Sequence, residues 1–297
     1  MPYNSITRMS KNKLRVSIII PAYNEEGRLS VCLEAIARQT VRPYEVIVVD
    51  NNSKDNTAEE AKQFAFVTLI SEPKQGLVHA RNRGFNAAKG EIIGRIDADT
   101  RLPADWVEQI QCIFVDERIK AVSGSLHFYD VGWSKIIDKV DSFFRRWIAK
   151  HMSVHQRIFL FGSNMAVRRS AWVKVRDSIC NRGGIHEDAD LALHLSDKGQ
   201  LVVYNPELLA SVSGRRIDTN LLDLCRYLAI SPITYIRHGA KEHYYMYPPI
   251  VVVFLCYPIL RILYRSFDSE TQHFRLSLLF VAAPVRVNPA TYGLKTP

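Results

Sequence analysis

Two clusters of acidic residues in this chain have the composition and spacing to do chemistry. In the first, Asp97-Ala98-Asp99, two carboxylates lie two residues apart at the end of an apolar run. At the end of a strand, such a pair can bind a hard cation and orient a ligand hydroxyl, and Mg²⁺ is commonly held by one or two carboxylates together with substrate phosphates. The pair alone is a weak signal, because the same pattern recurs at Asp188-Ala189-Asp190.

The second cluster is His186-Glu187-Asp188-Ala189-Asp190, directly before a short apolar helix that we expect to end at Gly199. Carboxylates at a helix N-terminus interact favourably with the helix dipole, so one interpretation is simple capping. The other is a general base, which needs an ionised carboxylate near an acceptor hydroxyl. A zinc-protease HExxH motif is excluded, because position 190 holds Asp190 instead of histidine.

The elements that would position these clusters alternate between strands and helices. Short β-branched runs predict buried strands at 16–20, 45–50, 66–71 and 91–97. Apolar periodicity and capping residues predict helices at 27–40, 53–64, 77–89 and from Pro103 onward. This alternation predicts an α/β fold with a mostly parallel open sheet flanked by helices. Polar residues at 24–25, 50–51 and 97–99 would then face one crevice at the carboxyl ends of the strands, where open α/β sheets bind ligands.

A strong helical pattern at 134–150 has apolar and basic residues on different faces. One interpretation is an ordinary amphipathic surface helix, and the other is a helix lying on an anionic membrane surface. Its apolar stripe consists of Ile136, Val140, Phe143, Phe144 and Trp147.

The most apolar stretch of the chain is 246–263, which is shorter than the about 20 residues that span a bilayer. It contains Pro248, Pro249 and Pro258, which leaves an interfacial or re-entrant segment, a true span and a core segment as alternatives. Arginines follow it, as is common beside membranes, at positions 261, 265, 275 and 286.

The 297 residues contain 47% apolar and 23% charged residues, which excludes a disordered chain, a collagen-like repeat and a coiled coil. The net charge of +9 favours an anionic partner: a nucleic acid, a membrane surface or a phosphate-bearing small molecule. The five cysteines are widely spaced without a CxxC pair, so we expect a reducing cytosol and neither a disulfide framework nor a zinc site. The polar, basic N-terminus does not predict a signal peptide.

Several common motifs are missing from the sequence. It has no GxGxxG dinucleotide fingerprint after the first strand, no P-loop and no GxSxG nucleophile elbow. Asp97-Ala98-Asp99-Thr100 matches the nucleophile motif of haloacid-dehalogenase-type phosphatases, although that motif usually follows the first strand. A phosphatase using Asp97 and Asp99 is therefore one alternative function, and a non-enzymatic, basic membrane-surface or nucleic-acid-binding protein is another.

Taken in order, the segments 16–25, 46–57, 76–84, 97–99 and 186–188 resemble the family 2 glycosyltransferases, which have the GT-A fold. The resemblance covers residues 14–215. It implies an inverting, single-displacement transfer of a sugar from a nucleoside-diphosphate sugar to an acceptor hydroxyl, with Mg²⁺ or Mn²⁺ bound. The acceptor would be a lipid-linked saccharide, a glycolipid or a polysaccharide.

The resemblance also implies roles for particular residues. The nucleotide pocket would be lined by Pro21, Ala22, Tyr23 and Glu25. Asp50 would contact the base and Arg81 the nucleotide end of the donor. Asp97 would contact the ribose or the metal, and Asp99 would hold the metal on the diphosphate. Asp188 would be the catalytic base, with Glu187 and Asp190 as rivals. Arg215 and Arg216 either bind the diphosphate or lie on the surface.

These expectations divide the chain into a basic N-terminal tail at 1–13, a catalytic domain at 14–215 and a helical, membrane-associating extension at 216–297. Most lysines and arginines outside the crevice lie in or beside the two membrane-like stretches, 134–150 and 246–263. We therefore expect the protein at the cytoplasmic face of a membrane, held peripherally or by one short C-terminal segment. Nucleic acid is not an expected partner.

Overall fold

The structure is a computed structural model, and it describes residues 14–153, 157–181, 183–268, 271 and 273–275. The predicted tail at 1–13 lies outside the described residues, as does Arg286 in the predicted extension.

A single twisted sheet forms the centre of the fold. Its strands are β1 (Val16–Ala22), β2 (Glu45–Asp50), β3 (Val67–Ser71), β4 (Ile92–Arg95), β5 (Ile119–Phe128), β6 (Met165–Arg168) and β7 (Leu201–Val212). They follow the order β3-β2-β1-β4-β6-β5-β7. The pairs within β3-β2-β1-β4 and the pair β5-β7 are parallel, whereas β6 runs antiparallel to both of its neighbours. The expected mostly parallel α/β fold is confirmed.

Helices cover both faces of the sheet. They are α1 (Leu29–Ala37), α2 (Thr57–Lys62), α3 (Leu77–Ala87), α4 (Trp106–Ile113), α5 (Ser134–Ser153), α6 (Arg169–Val175), α7 (Glu187–Asp197), α8 (Leu221–Arg237) and α9 (Tyr247–Ser266). Short 3₁₀ helices at Arg215–Asp218 and Lys241–Met246 precede α8 and α9, and the small strands β8 (Phe267–Asp268) and β9 (His273–Phe274) pair after α9.

The core has two layers because each face of the sheet packs against its own helices. Side chains of α1, α2 and α4 cover one face, and those of α3, α6 and α7 cover the other. Helix α3 lies close to the sheet at Gly84, where an added Cβ would come within 2.3 Å of the Ile19 side chain. A smaller apolar cluster joins α5, α7 and α8 beyond the sheet.

The four predicted strands of the first half are confirmed, but the helix predicted at 53–64 forms only from Thr57. The preceding side chains bind a neighbouring loop: the Ser53 hydroxyl accepts a hydrogen bond from the backbone N–H of Asn24 at 3.1 Å, and Asp55 accepts one from Glu26 at 3.1 Å. Side chains that compete for backbone groups in this way favour turns over helices. The result is a fixed loop after β1.

Candidate functional site

The carboxyl ends of β1, β2 and β4 lie side by side at one edge of the sheet, and we refer to the region between the loops that carry Glu25, Asp99 and Glu187 as the cleft. Ala22 pairs with Asp50 across β1 and β2, so the segment from Pro21 to Glu25 lies beside Asp50. The Asp50 carboxylate accepts a hydrogen bond from Ser53 at 3.2 Å. Pro21 and Ala22 are buried in β1, and Tyr23, directly after the strand, is half-buried.

Hydrogen bonds to the segment at 54–57 hold the loop that carries Glu25 in place. Asn24 adopts a left-handed φ of 53°, and its side-chain oxygen accepts a hydrogen bond from the Lys54 N–H at 2.8 Å. The Glu25 N–H donates to the Thr57 hydroxyl at 2.8 Å. These bonds hold the Glu25 carboxylate against the cleft.

Arg215 joins the loop after β1 to the loop after β4. Its guanidinium binds Glu25 through two hydrogen bonds of 2.8 and 2.6 Å and contacts the Asp99 carboxylate at 3.1 Å. Burial opposes the charged form of Arg215, but its hydrogen bonds to the Glu25 carboxylate and the charge of Asp99 hold the pKa of Arg215 above its usual value. With 20% of its side chain exposed and two acidic partners, Arg215 is not a free surface residue, and diphosphate binding stays a prediction.

Asp99 is the most deeply buried carboxylate of this part of the cleft, with 9% of the residue exposed. Burial raises the pKa of Asp99 to about 6, although the neighbouring Arg215 works in the opposite direction. A carboxylate that is costly to keep charged gains from a nearby cation. Asp97 and Asp99 offer only oxygen ligands, which is the donor set that Mg²⁺ and Mn²⁺ prefer, so these residues fit the expected metal.

Arg95, at the end of β4, joins the two acidic clusters. Its guanidinium contacts Asp97 at 2.8 Å and Glu187 at 3.2 Å, and the residue is almost fully buried. Burial disfavours its charge, but Asp97 and Glu187 together raise the pKa of Arg95 above its usual value. Space for the guanidinium exists because position 162 is Gly162, where an added Cβ would lie 0.8 Å from the Arg95 Nη1 atom.

The three candidate bases have different surroundings. Asp188 is half-buried at the N-terminus of α7, where its carboxylate accepts hydrogen bonds from the N–H of Gly162 at 2.9 Å and of Ala189 at 2.7 Å. Glu187 is paired with Arg95. Asp190 is 0% exposed and binds the Cys180 N–H and the His238 imidazole, so it does not face the cleft. The donor atoms of His186, Glu187 and Asp188 lie within 4.8 Å of one another.

Arg81 lies beneath the cleft, and this differs from the expected contact with a donor. The residue is 1% exposed, and its guanidinium donates a 2.7 Å hydrogen bond to the backbone carbonyl of Glu187. Its side chain packs over the rings of Trp172 and Phe85, both buried in the same core layer. Burial lowers the pKa of Arg81 to about 10. The contacts of Arg81 therefore hold the start of α7 in place from within the protein core.

Sequence reasoning missed Arg95 and Gly162. A signal for Arg95 is present, because it is the one charged residue inside the apolar run of the fourth strand, two positions before Asp97. Gly162 has no such signal, since it lies in a loop and is brought to β4 only by the tertiary fold.

A groove of about 640 Å³ lies between α5 and the strands β5 and β7. Its lining combines apolar and basic side chains, among them Phe143, Trp147, Lys139, Arg146 and Lys150. Helix α5 buries Ile148 and Met152, but Ile136, Val140 and Phe143 of the predicted apolar stripe are exposed. Helix α5 therefore packs on the described residues through a side other than this stripe, and both interpretations of the helix stay open.

Within the described residues, one helical stretch is long and apolar enough to cross a membrane, Lys241–Ser266, with a mean hydropathy of 1.8. Only 11% of the most apolar 18-residue part of this stretch is buried, so the core-segment alternative for 246–263 is wrong. Pro248 and Pro249 occupy the first turn of α9, where a missing N–H costs nothing, and the helix continues through Pro258. Near its C-terminal end, Arg261 and Arg265 contact Asp218.

The sequence profile of Glycosyl transferase family 2 matches residues 17–175, more than half of the chain. The chain therefore belongs to glycosyl transferase family 2, and its sheet is the GT-A fold expected from the resemblance. This assignment does not favour the haloacid-dehalogenase-type phosphatase considered as an alternative.

Curated relatives include the glycosyltransferase AglE of Haloferax volcanii, 35% identical over 135 residues, or 43% of this chain and 44% of AglE. The undecaprenyl-phosphate 4-deoxy-4-formamido-L-arabinose transferase of Pseudomonas paraeruginosa is 30% identical over 174 residues, or 56% of this chain and 45% of the relative. The matched part spans less than half the length of both relatives.

Two solved structures share the fold. The mannosyltransferase PcManGT from Pyrobaculum calidifontis, in complex with GDP-Man and Mn²⁺, has a TM-score of 0.59 and 20% identity, covering 84% of this chain and 73% of its own. TarS from S. aureus has a TM-score of 0.54 and 14% identity, covering 82% of this chain and 43% of its own.

Proposed function

We propose that this chain transfers a sugar from a nucleoside-diphosphate sugar to the hydroxyl of a lipid-linked or saccharide acceptor, with inversion at the anomeric carbon. The observation that carries the proposal is the Arg95 bridge: its guanidinium contacts both Asp97 and Glu187, one residue from each acidic motif. Family membership and the GDP-Man bound to the structural neighbour support a nucleotide-sugar donor.

In the proposed reaction, Asp188 is the base. Its carboxylate is held by the N–H groups of Gly162 and Ala189, which fix its direction without transferring a proton. Asp188 takes the proton of the acceptor hydroxyl while that oxygen bonds to the anomeric carbon. The bond from this carbon to the diphosphate breaks, and its electron pair leaves with the nucleoside diphosphate. Glu187, paired with Arg95, is the positioning residue beside it.

Charge on the leaving diphosphate has two proposed partners. A divalent cation held by Asp97 and Asp99 would supply electrostatic stabilisation of the leaving group. Arg215 is the second, because its guanidinium already lies at Asp99 and Glu25 in the cleft. The segment Pro21–Glu25 and Asp50 are proposed to line the nucleotide pocket, and Arg81 to act from below by holding the Glu187 backbone.

For the acceptor, we propose a lipid-linked saccharide or lipid phosphate that approaches from a membrane surface. Support comes from the exposed apolar face of α9, from the basic and aromatic groove along α5, and from a relative named for undecaprenyl phosphate. The proposed location is the cytoplasmic face, and nucleic acid is not a proposed partner.

The test is release of nucleoside diphosphate by the purified full chain from a panel of nucleotide sugars, with and without Mn²⁺ or Mg²⁺. We expect turnover that needs a cation and falls by roughly 10²–10⁴-fold in Asp188→Asn, the range of general-base contributions. Asp99→Asn should lose the cation dependence and most of the activity. Asp177→Asn, at a highly exposed site, is the matched control and should leave the rate unchanged.

Wild-type rates in Asp188→Asn and Asp99→Asn would overturn the assigned roles. Lack of turnover and of binding for every nucleotide sugar, together with salt-dependent binding to DNA, would favour the non-enzymatic alternative.

A further inference from the structure

Away from the cleft, the fold brings together four side chains of the kinds that bind transition metals. Cys180 lies in the segment after α6, Asp190 and His194 lie one turn apart on α7, and His238 follows the last residue of α8. One donor atom from each of these residues lies within 4.8 Å of all the others. The residues come from three separate segments, which is why cysteine spacing predicted no zinc site.

The separations between these donor atoms are close to those around a tetrahedral metal. The Cys180 Sγ atom is 3.9 Å from Nε2 of both His194 and His238. One Asp190 oxygen is 2.9 Å from Nε2 of His238 and 3.4 Å from Nε2 of His194. Tetrahedral zinc, with bonds of about 2.0–2.3 Å, separates its ligand atoms by roughly 3.3–3.6 Å. These four separations therefore differ from tetrahedral values by a few tenths of an ångström, and the two imidazole nitrogens lie within 4.8 Å of each other.

The donor set selects a different metal from that of the cleft. One sulfur, two imidazole nitrogens and one carboxylate oxygen suit Zn²⁺, whereas Mg²⁺ and Mn²⁺ prefer oxygen ligands such as Asp97 and Asp99. A Cys180 thiolate, an Asp190 carboxylate, two neutral imidazoles and Zn²⁺ sum to zero charge. Such a neutral cluster suits the buried position of Asp190.

The Asp190 carboxylate is already oriented to bind a metal ion. Its second oxygen accepts a 3.1 Å hydrogen bond from the Cys180 N–H, which turns the first oxygen toward both imidazoles. Partners of this kind fix the direction of metal ligands. The side chains of His194 and His238 are 17% and 13% exposed, so an ion can reach the cluster from solvent.

We propose that Cys180, Asp190, His194 and His238 form a structural zinc site that attaches α7 to the end of α8. Binding converts the Cys180 thiol to a thiolate bonded to zinc, and the proton goes to solvent. Because the first turn of α7 carries Glu187 and Asp188, the site stabilises the segment that enters the cleft. The proposal does not depend on the proposed function.

The first test is the metal content of the full chain, purified without chelator and measured by elemental mass spectrometry. We expect about one zinc per chain in the wild type and in Asp99→Asn, and loss of that zinc in Cys180→Ser and His238→Gln. Cys112→Ser, at an exposed cysteine outside the cluster, is the matched control and should keep the metal.

The second test uses Co²⁺ in place of zinc. A thiolate-to-cobalt charge-transfer band should appear in the wild type and in Cys112→Ser and be lost in Cys180→Ser, because the oxygen-only cleft cannot produce it. Should the variants fail to fold, alkylation of the wild type is decisive: zinc should protect Cys180 and leave Cys112 reactive. Substoichiometric zinc with no cobalt band and no protection would show a hydrogen-bonded cluster without metal, and would overturn the proposal.

Discussion

Arg95 and Arg215 each hold two carboxylates that belong to different segments of the chain. Arg95 pairs Asp97 with Glu187, and Arg215 pairs Glu25 with Asp99. Each arginine lowers the cost of burying acids that would otherwise repel one another. At the scale of residues, the charges of the acids in the cleft are therefore balanced by these two arginines. Replacing one of these residues changes the electrostatic environment of the others.

Substitution of Arg215 should separate metal binding from catalysis. In Arg215→Met, Asp99 loses its positive partner, so a divalent cation binds without competition from the guanidinium. We expect Mn²⁺ affinity of the ligand-free chain to rise while sugar transfer falls by at least about tenfold, because one proposed partner of the diphosphate is lost. Calorimetric titration and a steady-state assay measure the two effects.

Arg38→Met, at an exposed site, is the control for this prediction and should change neither quantity. Weaker Mn²⁺ binding in Arg215→Met would show that the arginine supports the metal site instead of competing with it.

Gly162 should be essential for the geometry of the cleft. In Gly162→Ala, the new methyl group occupies the position of the Arg95 guanidinium, so Arg95 has to leave Asp97 and Glu187. Because a displacement of about 1 Å in a catalytic group can cost roughly 10²-fold, we expect a loss of that order in kcat/KM.

Ser163→Ala, in the same loop, is the matched control and should retain its activity. Full activity in Gly162→Ala, with an unchanged melting temperature, would show that the Arg95 bridge is dispensable.

At the scale of elements, β6 is where the fold departs from a simple strand-helix alternation. It enters antiparallel between β4 and β5 and is preceded by a loop that carries both Gly162 and Asn164. Asn164 is 0% exposed; it accepts a hydrogen bond from the Trp106 indole at 2.9 Å and donates two of 2.8 Å to the carbonyls of Ser125 and Leu208. One side chain thus links α4, β5, β6 and β7.

Asn164→Ala should destabilise the fold strongly. It leaves a buried indole N–H and two carbonyls without partners, and each unsatisfied buried group costs about 1–3 kcal/mol. We expect the free energy of unfolding to fall by about 2–4 kcal/mol in urea titrations followed by fluorescence. Asn181→Ala, at an exposed site, should stay within about 0.5 kcal/mol of the wild type. A similarly small effect for Asn164→Ala would contradict the linking role.

The first half of the sheet was predictable because its signals are local. Each strand from β1 to β4 is a short apolar run followed by a periodic helix, and each ends at a polar cluster. The second half was not, because β6 pairs antiparallel with strands distant in sequence and β5 pairs with β7 through shifts in register. For the same reason Asp97 and Asp188 were found from local motifs, whereas Gly162 became visible only through its distance to Arg95.

At the scale of the whole molecule, the exposed apolar residues of α9 and the basic residues of α5 are candidates for the proposed membrane contact. Val251, Phe254, Leu255 and Ile259 are exposed on α9, and Lys135, Lys139, Arg146 and Lys150 are exposed on α5. An anionic bilayer attracts the second set electrostatically and accepts the first set by burial of apolar surface.

Measurements of vesicle binding should distinguish the apolar contribution of α9 from the electrostatic contribution of α5. For vesicles with anionic lipid, we expect the uncharged substitutions Leu255→Ser and Ile259→Ser each to weaken co-sedimentation about tenfold at any salt concentration, since burying such a side chain is worth about 1.5–3 kcal/mol. Lys139→Glu should weaken binding chiefly at low salt.

Val115→Ser, which replaces an exposed apolar residue outside α9, is the control and should bind as the wild type does. Binding that is unchanged in both α9 variants would mean that this helix packs against protein instead of lipid.

The contact between Glu25 and Arg215 spans 190 residues of sequence, and this has a consequence for synthesis. At about 5–20 residues per second, the ribosome adds Arg215 roughly 10–40 s after Glu25. During that interval, the strands that carry Glu25 and Asp99 can already pair, and Glu25 has Arg28 as its partner at 3.3 Å, but Asp99 has not yet met Arg215. The link between the loops after β1 and β4 therefore forms only after Arg215 has been added to the chain.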